Sequence, residues 1–161
     1  MASIQQLLKP SHVLLNLEVT SKKRLFEQIG ILFENHDQMS RSQVFDALFN
    51  REKLGSTGLG HGFALPHGRM KKLRETLCAF IRIAGDIPFE SPDGQNVKMA
   101  LALLVPEHAT EHHLHLLSEI AEMFNDPELR KSLLTAQDQA EAWQVLTQWT
   151  PYARRQRSAS V

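Results

Sequence analysis

The apolar run VKMALALLVP (residues 97–106), with TLCAFIRI (residues 76–83) ahead of it, limits most strongly what this chain can fold into. The stretch between them, SPDGQN, supplies the proline, aspartate and glycine of a turn. Both runs read as strands, and so does FALPH (residues 63–67). The flanking segments change period. In SKKRLFEQIGILFENH, Leu25, Phe26, Ile29, Leu32 and Phe33 share one helical face. In SRSQVFDALFNREK, Ser40 and Gln43 form a capping box, Val44, Phe45, Leu48 and Phe49 form the stripe to be buried, and Gly55 stands where the helix stops. HVLLNLEV (residues 12–19) reads as an opening strand. Pro106 closes the last strand, and three helices follow: TEHHLHLLSEIAEMF from a Thr110 cap, DPELRKSLLTA with Asp126 as cap and Pro127 at the first helical position, and DQAEAWQVLTQW. The order is strand, two helices, three strands, three helices. It is not a strict alternation, and it predicts a mixed sheet with helices on both faces.

The chain has 161 residues, enough for one domain with a real core. Residues 1–150 are expected to form it, and the basic tail 151–161 to be solvated and disordered. Lysine plus arginine and aspartate plus glutamate each number 18, and this balance points away from nucleic acid or a membrane surface as the main partner. The single cysteine, Cys78, fits a reducing compartment and sits in an apolar run, where a buried, inert thiol is expected. The start has no basic region leading into an apolar one, and no run approaches the ~20 residues of a membrane span. A soluble cytoplasmic protein is expected.

The stretch GSTGLGHGFALPHG (residues 55–68) carries the chemistry. A Walker loop needs a glycine followed by lysine, and the stretch holds no lysine; the dinucleotide fingerprint must open a helix, and this one leads into a strand; Ser56 lacks the frame of a hydrolase elbow. A bare backbone beside a histidine remains. Successive backbone N–H groups can bind an anion, with the hydroxyls of Ser56 and Thr57 as further donors. Histidine is a neutral nucleophile near pH 7, suited to accepting and passing on a phosphoryl group. The plain alternative is a hairpin loop with an incidental histidine.

Three further groups stand out. On the helix of TEHHLHLLSEIAEMF the apolar face is set by Leu114, Leu117, Ile120, Ala121 and Phe124, and His113 falls on it, in a first turn that favours an anion. A hydrogen-bonded histidine at the edge of the core is the alternative. His112 and His115 point away; with Glu111 or Glu119 they would make a poorly spaced zinc site, and no H-E-x-x-H is present. Arg51, in the last turn of the second helix, can reach a phosphoryl oxygen bidentately or simply neutralise the helix end.

REKLGSTGLGHGFALPHGR, LALLVP and HLHLLSEIAEMF, in this order, resemble the enzyme IIA domains of the mannitol/fructose type in the bacterial sugar phosphotransferase system, and most of all their free-standing nitrogen-regulatory members. The resemblance implies an α+β fold, a three-layer α/β/α sandwich with a mixed sheet. It implies phosphorylation of His67 through Nε2, assistance from His113 across the pocket, contact of Arg51 with the phosphoryl group, and a donor of the HPr type. It also implies phosphorylation-dependent binding of regulatory targets. His61 departs from the family pattern, where an asparagine is frequent. No cofactor or metal is expected. A IIA component passing phosphate to a separate IIB domain, a binding module that never carries phosphate, and a metal-dependent hydrolase are the other readings.

Overall fold

The computed structural model describes residues 3–108 and 110–151. The tail expected from residue 151 onward lies outside them apart from Pro151, as does the side chain of the expected Thr110 cap. At the centre, β5 (Leu77–Ile87) and β6 (Val97–Pro106) pair antiparallel. Along β6, Met99, Leu101, Leu103 and Val105 enter one apolar cluster while Ala100, Ala102 and Leu104 enter another. The period of two in a strand thus feeds two cores from one run. β1 (Val13–Leu17) lies parallel to β5. On the far side of β6 run β3 (Phe63–Ala64) and β4 (His67–Met70), both parallel to it, and β2 (Gly58–Gly60) pairs antiparallel with β3. The six-stranded sheet is mixed, as expected.

α2 (Lys22–Asp37) and α3 (Arg41–Glu52) cover one face. The short α1 (Ile4–Leu7) with α4 (Thr110–Phe124), α5 (Pro127–Thr135) and α6 (Gln139–Gln148) cover the other. The expected stripe of α2 is buried in full. Both cap residues accept as expected, Ser40 Oγ from the Gln43 N–H at 3.4 Å and Asp126 Oδ1 from the Glu128 N–H at 3.1 Å. Ser40 caps one way, however, without the reciprocal Gln43 side-chain bond of the expected capping box. Cys78 is buried, and desolvation pushes its thiol up to about 12, so it is inert. No described helix is long and apolar enough to cross a membrane.

Several expectations are corrected. The stripe of α3 is narrower than drawn: Val44 and Leu48 are buried, but Phe49 is 41% exposed and stacks on the half-buried Phe45 with ring centroids 5.6 Å apart. The buried line continues instead to the carboxylate Glu52. On α4 the face is rotated by one residue. Leu114 is 62% exposed, Ala121 is exposed and Leu117 only half-buried, whereas His113, Leu116, Ile120, Met123 and Phe124 are buried. The opening strand starts after His12, which lies in a 3-10 turn with Nε2 2.6 Å from Asp37 Oδ2. FALPH is not one strand: Pro66 has no N–H to give to β6, and the edge strand divides there into β3 and β4.

Candidate active site

The division of the edge strand places His67. Leu65 donates its N–H to the Thr57 carbonyl, and the Leu103 N–H is accepted by the Pro66 carbonyl at 2.9 Å, so both sides of the break are held. His67 opens β4 half-buried, and its Nδ1 lies 2.8 Å from the Leu65 carbonyl oxygen. A carbonyl only accepts, so Nδ1 carries the proton. The lone pair of the neutral ring is then on Nε2. Burial lowers the pKa of His67 from 6.5; the Leu65 carbonyl opposes this, Arg51 adds to it, and Glu52 opposes it. The ring is neutral near pH 7.

Gly68 brings the next element in. A Cβ there would meet the Ala47 carbonyl oxygen at 2.7 Å and its carbon at 2.8 Å, so only glycine lets α3 lie this close to β4. The end of α3 consequently reaches the sheet edge, and Asn50, Arg51 and Leu54 line one cleft with His67, Arg69 and His113. Arg51 Nη1 donates to the Gly55 carbonyl at 2.8 Å, which fixes the guanidinium beside the cleft. From the opposite layer α4 presents His113, its ring 5.4 Å from that of His67 at 63°. Both ring nitrogens of His113 are buried and unpartnered. Buried polar atoms are nearly always paired, so this ring is poised for a partner not made by the chain itself. Desolvation, with repulsion from His67 when that ring is protonated, from Arg69 and from a protonated His112, pushes its pKa down to about 4. It stands as a neutral N–H donor.

The structure thus brings His67, His113 and Arg51 together. It does not bring Ser56 or Thr57 to them. Ser56 Oγ donates to the Phe89 carbonyl at 2.6 Å and lines a separate surface depression with Lys22 and Lys53. Thr57 is buried, its N–H and hydroxyl both given to Glu52, which also holds Lys22 Nζ at 2.9 Å. Their work is to fix the loop. Gly58, Gly60 and Gly62 line none of the cleft; they build the β2–β3 hairpin, in which His61 (φ 57°) and Gly62 (φ 77°) both take the positive φ of a type I′ turn. Asparagine is favoured at the first of these positions for the same backbone reason. His61 is held there by its N–H on Asp93 Oδ2 at 2.9 Å and stays outside the cleft. His112 does not line the cleft either, and His115 Nε2 is 3.8 Å from Glu119 Oε2; no set of three metal-ligating side chains gathers among the described residues.

Sequence reasoning missed Arg69 and Asn50. Arg69 was within reach: two residues after His67 on one strand, it shares that residue's side of the sheet. Asn50 needs the α3–β4 approach, which only tertiary structure supplies.

A histidine with a free Nε2, a guanidinium and an unpartnered imidazole thus meet in one cleft at the sheet edge, a set of groups able to accept and hold a phosphoryl group. Residues 6–149 match the family described as phosphoenolpyruvate-dependent sugar phosphotransferase system, EIIA 2, and the chain belongs to it: it is a phosphotransferase component that carries a histidine phosphoryl intermediate. The nitrogen regulatory protein of Pseudomonas aeruginosa is 37% identical over 147 residues, 91% of this chain and 96% of that protein. The crystal structure of nitrogen regulatory protein IIA-Ntr from Neisseria meningitidis is 46% identical with a TM-score of 0.85, covering 89% of this chain and 99% of that one. Enzyme IIA of mannitol, solved in complex with phosphorylated enzyme IIB from Escherichia coli, shares the fold at 16% identity and a TM-score of 0.72, over 88% of this chain and 98% of that one.

The two histidines set the pH response. For His113 the unfolded ring titrates near 6.5 and the folded ring at about 4, so the unfolded chain binds the proton first. Stability from the neutral ring is therefore complete above pH 6.5 and lost as pH falls toward 4. With His67 as the acceptor, phosphoryl acceptance should fall with a midpoint below pH 6.5, the ordinary histidine value, because burial lowers the His67 pKa. Initial labelling rates across this range, with melting curves beside them, check both. A midpoint at or above pH 6.5 would contradict a lowered His67 pKa.

Proposed function

We propose that His67 Nε2 accepts a phosphoryl group from an HPr-like carrier, and that this domain, residues 1–150, works as a regulator in the nitrogen-regulatory branch of the family. The observation that carries the reading is the Nδ1 contact with the Leu65 carbonyl, which leaves Nε2 as the nucleophile beside an arginine and an unpartnered imidazole. In the transfer, the Nε2–P bond forms as the P–N bond to the donor ring breaks. The donor imidazole leaves neutral with the electron pair, and the Nδ1–H of His67 stays on its carbonyl. Positive charge passes from the donor ring to the acceptor ring. Arg51 neutralises the equatorial oxygens, and His113 gives them an N–H. The regulatory branch is favoured over sugar transport by the 37% and 46% identities to nitrogen regulatory proteins across nearly their whole lengths.

The experiment is reconstitution with a phosphorylated HPr-like carrier, then comparison of target binding in the two states. Acid-labile, base-stable label is expected, and absence of label would leave a binding module. His113→Ala should slow transfer by about 10²-fold, the usual cost of one preorganised donor. Arg51→Ala should lose more rate than Arg51→Lys, which keeps charge without the fork. Wild-type rates in all three variants would return these side chains to structural roles.

A further inference from the structure

We propose that the β4–β5 turn is a docking surface for an acidic segment of a partner protein, and that phosphorylation of His67 loosens it. The phosphorylation arm rests on His67 being the phosphorylated residue. Arg69, Lys71, Lys72 and Arg74 put four cations within six residues, all exposed and with no acid among the six; Glu75 follows. None of the four side chains makes a hydrogen bond or an ion pair among the described residues. Elsewhere Lys9, Lys22, Arg24 and Arg41 each have a carboxylate. The turn is nonetheless anchored. Met70 is buried, Leu73 packs on the core of α2 and α3, and Lys72 takes a φ of 65° between them. A fixed backbone therefore presents unpaired cations to solvent, and a partner's carboxylates supply the missing charge.

The surface is continuous with the reactive cleft, because Arg69 lines that cleft with His67. Leu54, 81% exposed, lines it too, and this apolar neighbour suits a folded or peptide partner better than a nucleic-acid backbone. A phosphoryl group on His67 brings about two negative charges to the edge of the patch. Close to the cations it offsets their field and repels the partner's carboxylates, within a Debye length of about 8 Å at physiological salt.

The probe is a fluorescein-labelled dodecapeptide of glutamate and leucine, titrated by anisotropy into the full chain. The protein is used unmodified, phosphorylated by the carrier, and as a Lys71→Glu/Lys72→Glu/Arg74→Glu variant whose melting curve is recorded; Arg69 is left intact because it lines the cleft. Binding should weaken roughly tenfold in the variant and several-fold on phosphorylation, both effects shrinking at high salt. Equal affinity of wild type and variant overturns the docking surface. Equal affinity of the two phosphorylation states overturns the loosening. Tighter binding of a single-stranded oligonucleotide, or of phosphatidylcholine–phosphatidylserine vesicles, than of the peptide overturns the choice of partner. Label incorporation is measured alongside: absence of label in the wild-type chain sinks the His67 reading, while the variant still decides the docking surface. Should the triple glutamate variant melt early, the triple alanine variant takes its place.

Discussion

His67→Ala will take up no phosphoryl group from a phosphorylated carrier, and it will stay folded. The first half follows from chemistry. His61 lies in the hairpin turn outside the cleft, and the two ring nitrogens of His113, which shares the cleft, are both buried, whereas His67 is half-buried with its Nδ1 taken by the Leu65 carbonyl and its Nε2 left over. The second half follows from packing. His67 is half-buried, and the hydrogen bond of its ring to the Leu65 carbonyl is worth about 1 kcal/mol. Its backbone remains paired with β6, since alanine keeps the N–H and carbonyl of the ladder. A labelling assay and circular dichroism on the same sample decide the matter. Retained label at the wild-type level would move the nucleophile to another histidine.

Gly68→Ala should cost both stability and rate, although residue 68 bears no reactive group. The added methyl meets backbone atoms of Ala47, which cannot swing aside as a side chain end would, so α3 must shift. Overpacking of this kind costs about 1–3 kcal/mol. The shift also carries Asn50 and Arg51 away from His67, and a misplacement near 1 Å can lower a rate about 10²-fold. Gly85→Ala is the matched control. A Cβ there meets nothing within 4 Å, and the effect should stay within about 0.5 kcal/mol. Thermal melts and single-turnover transfer rates separate the two. A Gly68→Ala protein with wild-type transfer would mean that the seat of α3 on β4 does not position the site.

How much of this was legible in the sequence depends on which force decided each element. The α2 stripe and the β5–β6 pair were readable because burial alone fixes them, and burial writes its period into the residues. The α4 face was misread by one residue because leucines at 114, 116 and 117 satisfy more than one phase. Packing against the sheet selected Leu116 and left Leu114 in solvent. Ser56 and Thr57 looked like phosphate donors because a hydroxyl near glycines can serve an anion or the chain equally well. Their acceptors, the Phe89 carbonyl and the Glu52 carboxylate, were fixed only by folding. His67 was legible through the ALPH motif and its family likeness. The family likeness also implied Nε2; the contact of Nδ1 with the Leu65 carbonyl that supports this tautomer was not legible, since it depends on how Pro66 turns the chain.

That tautomer is the centre of the account, and nitrogen-15 NMR of the phosphorylated chain tests it most directly. Phosphorus coupling should appear at Nε2 of a single histidine, His67, with its Nδ1 still protonated on the Leu65 carbonyl. Coupling at Nδ1 of His67, or at either nitrogen of His113, would contradict it.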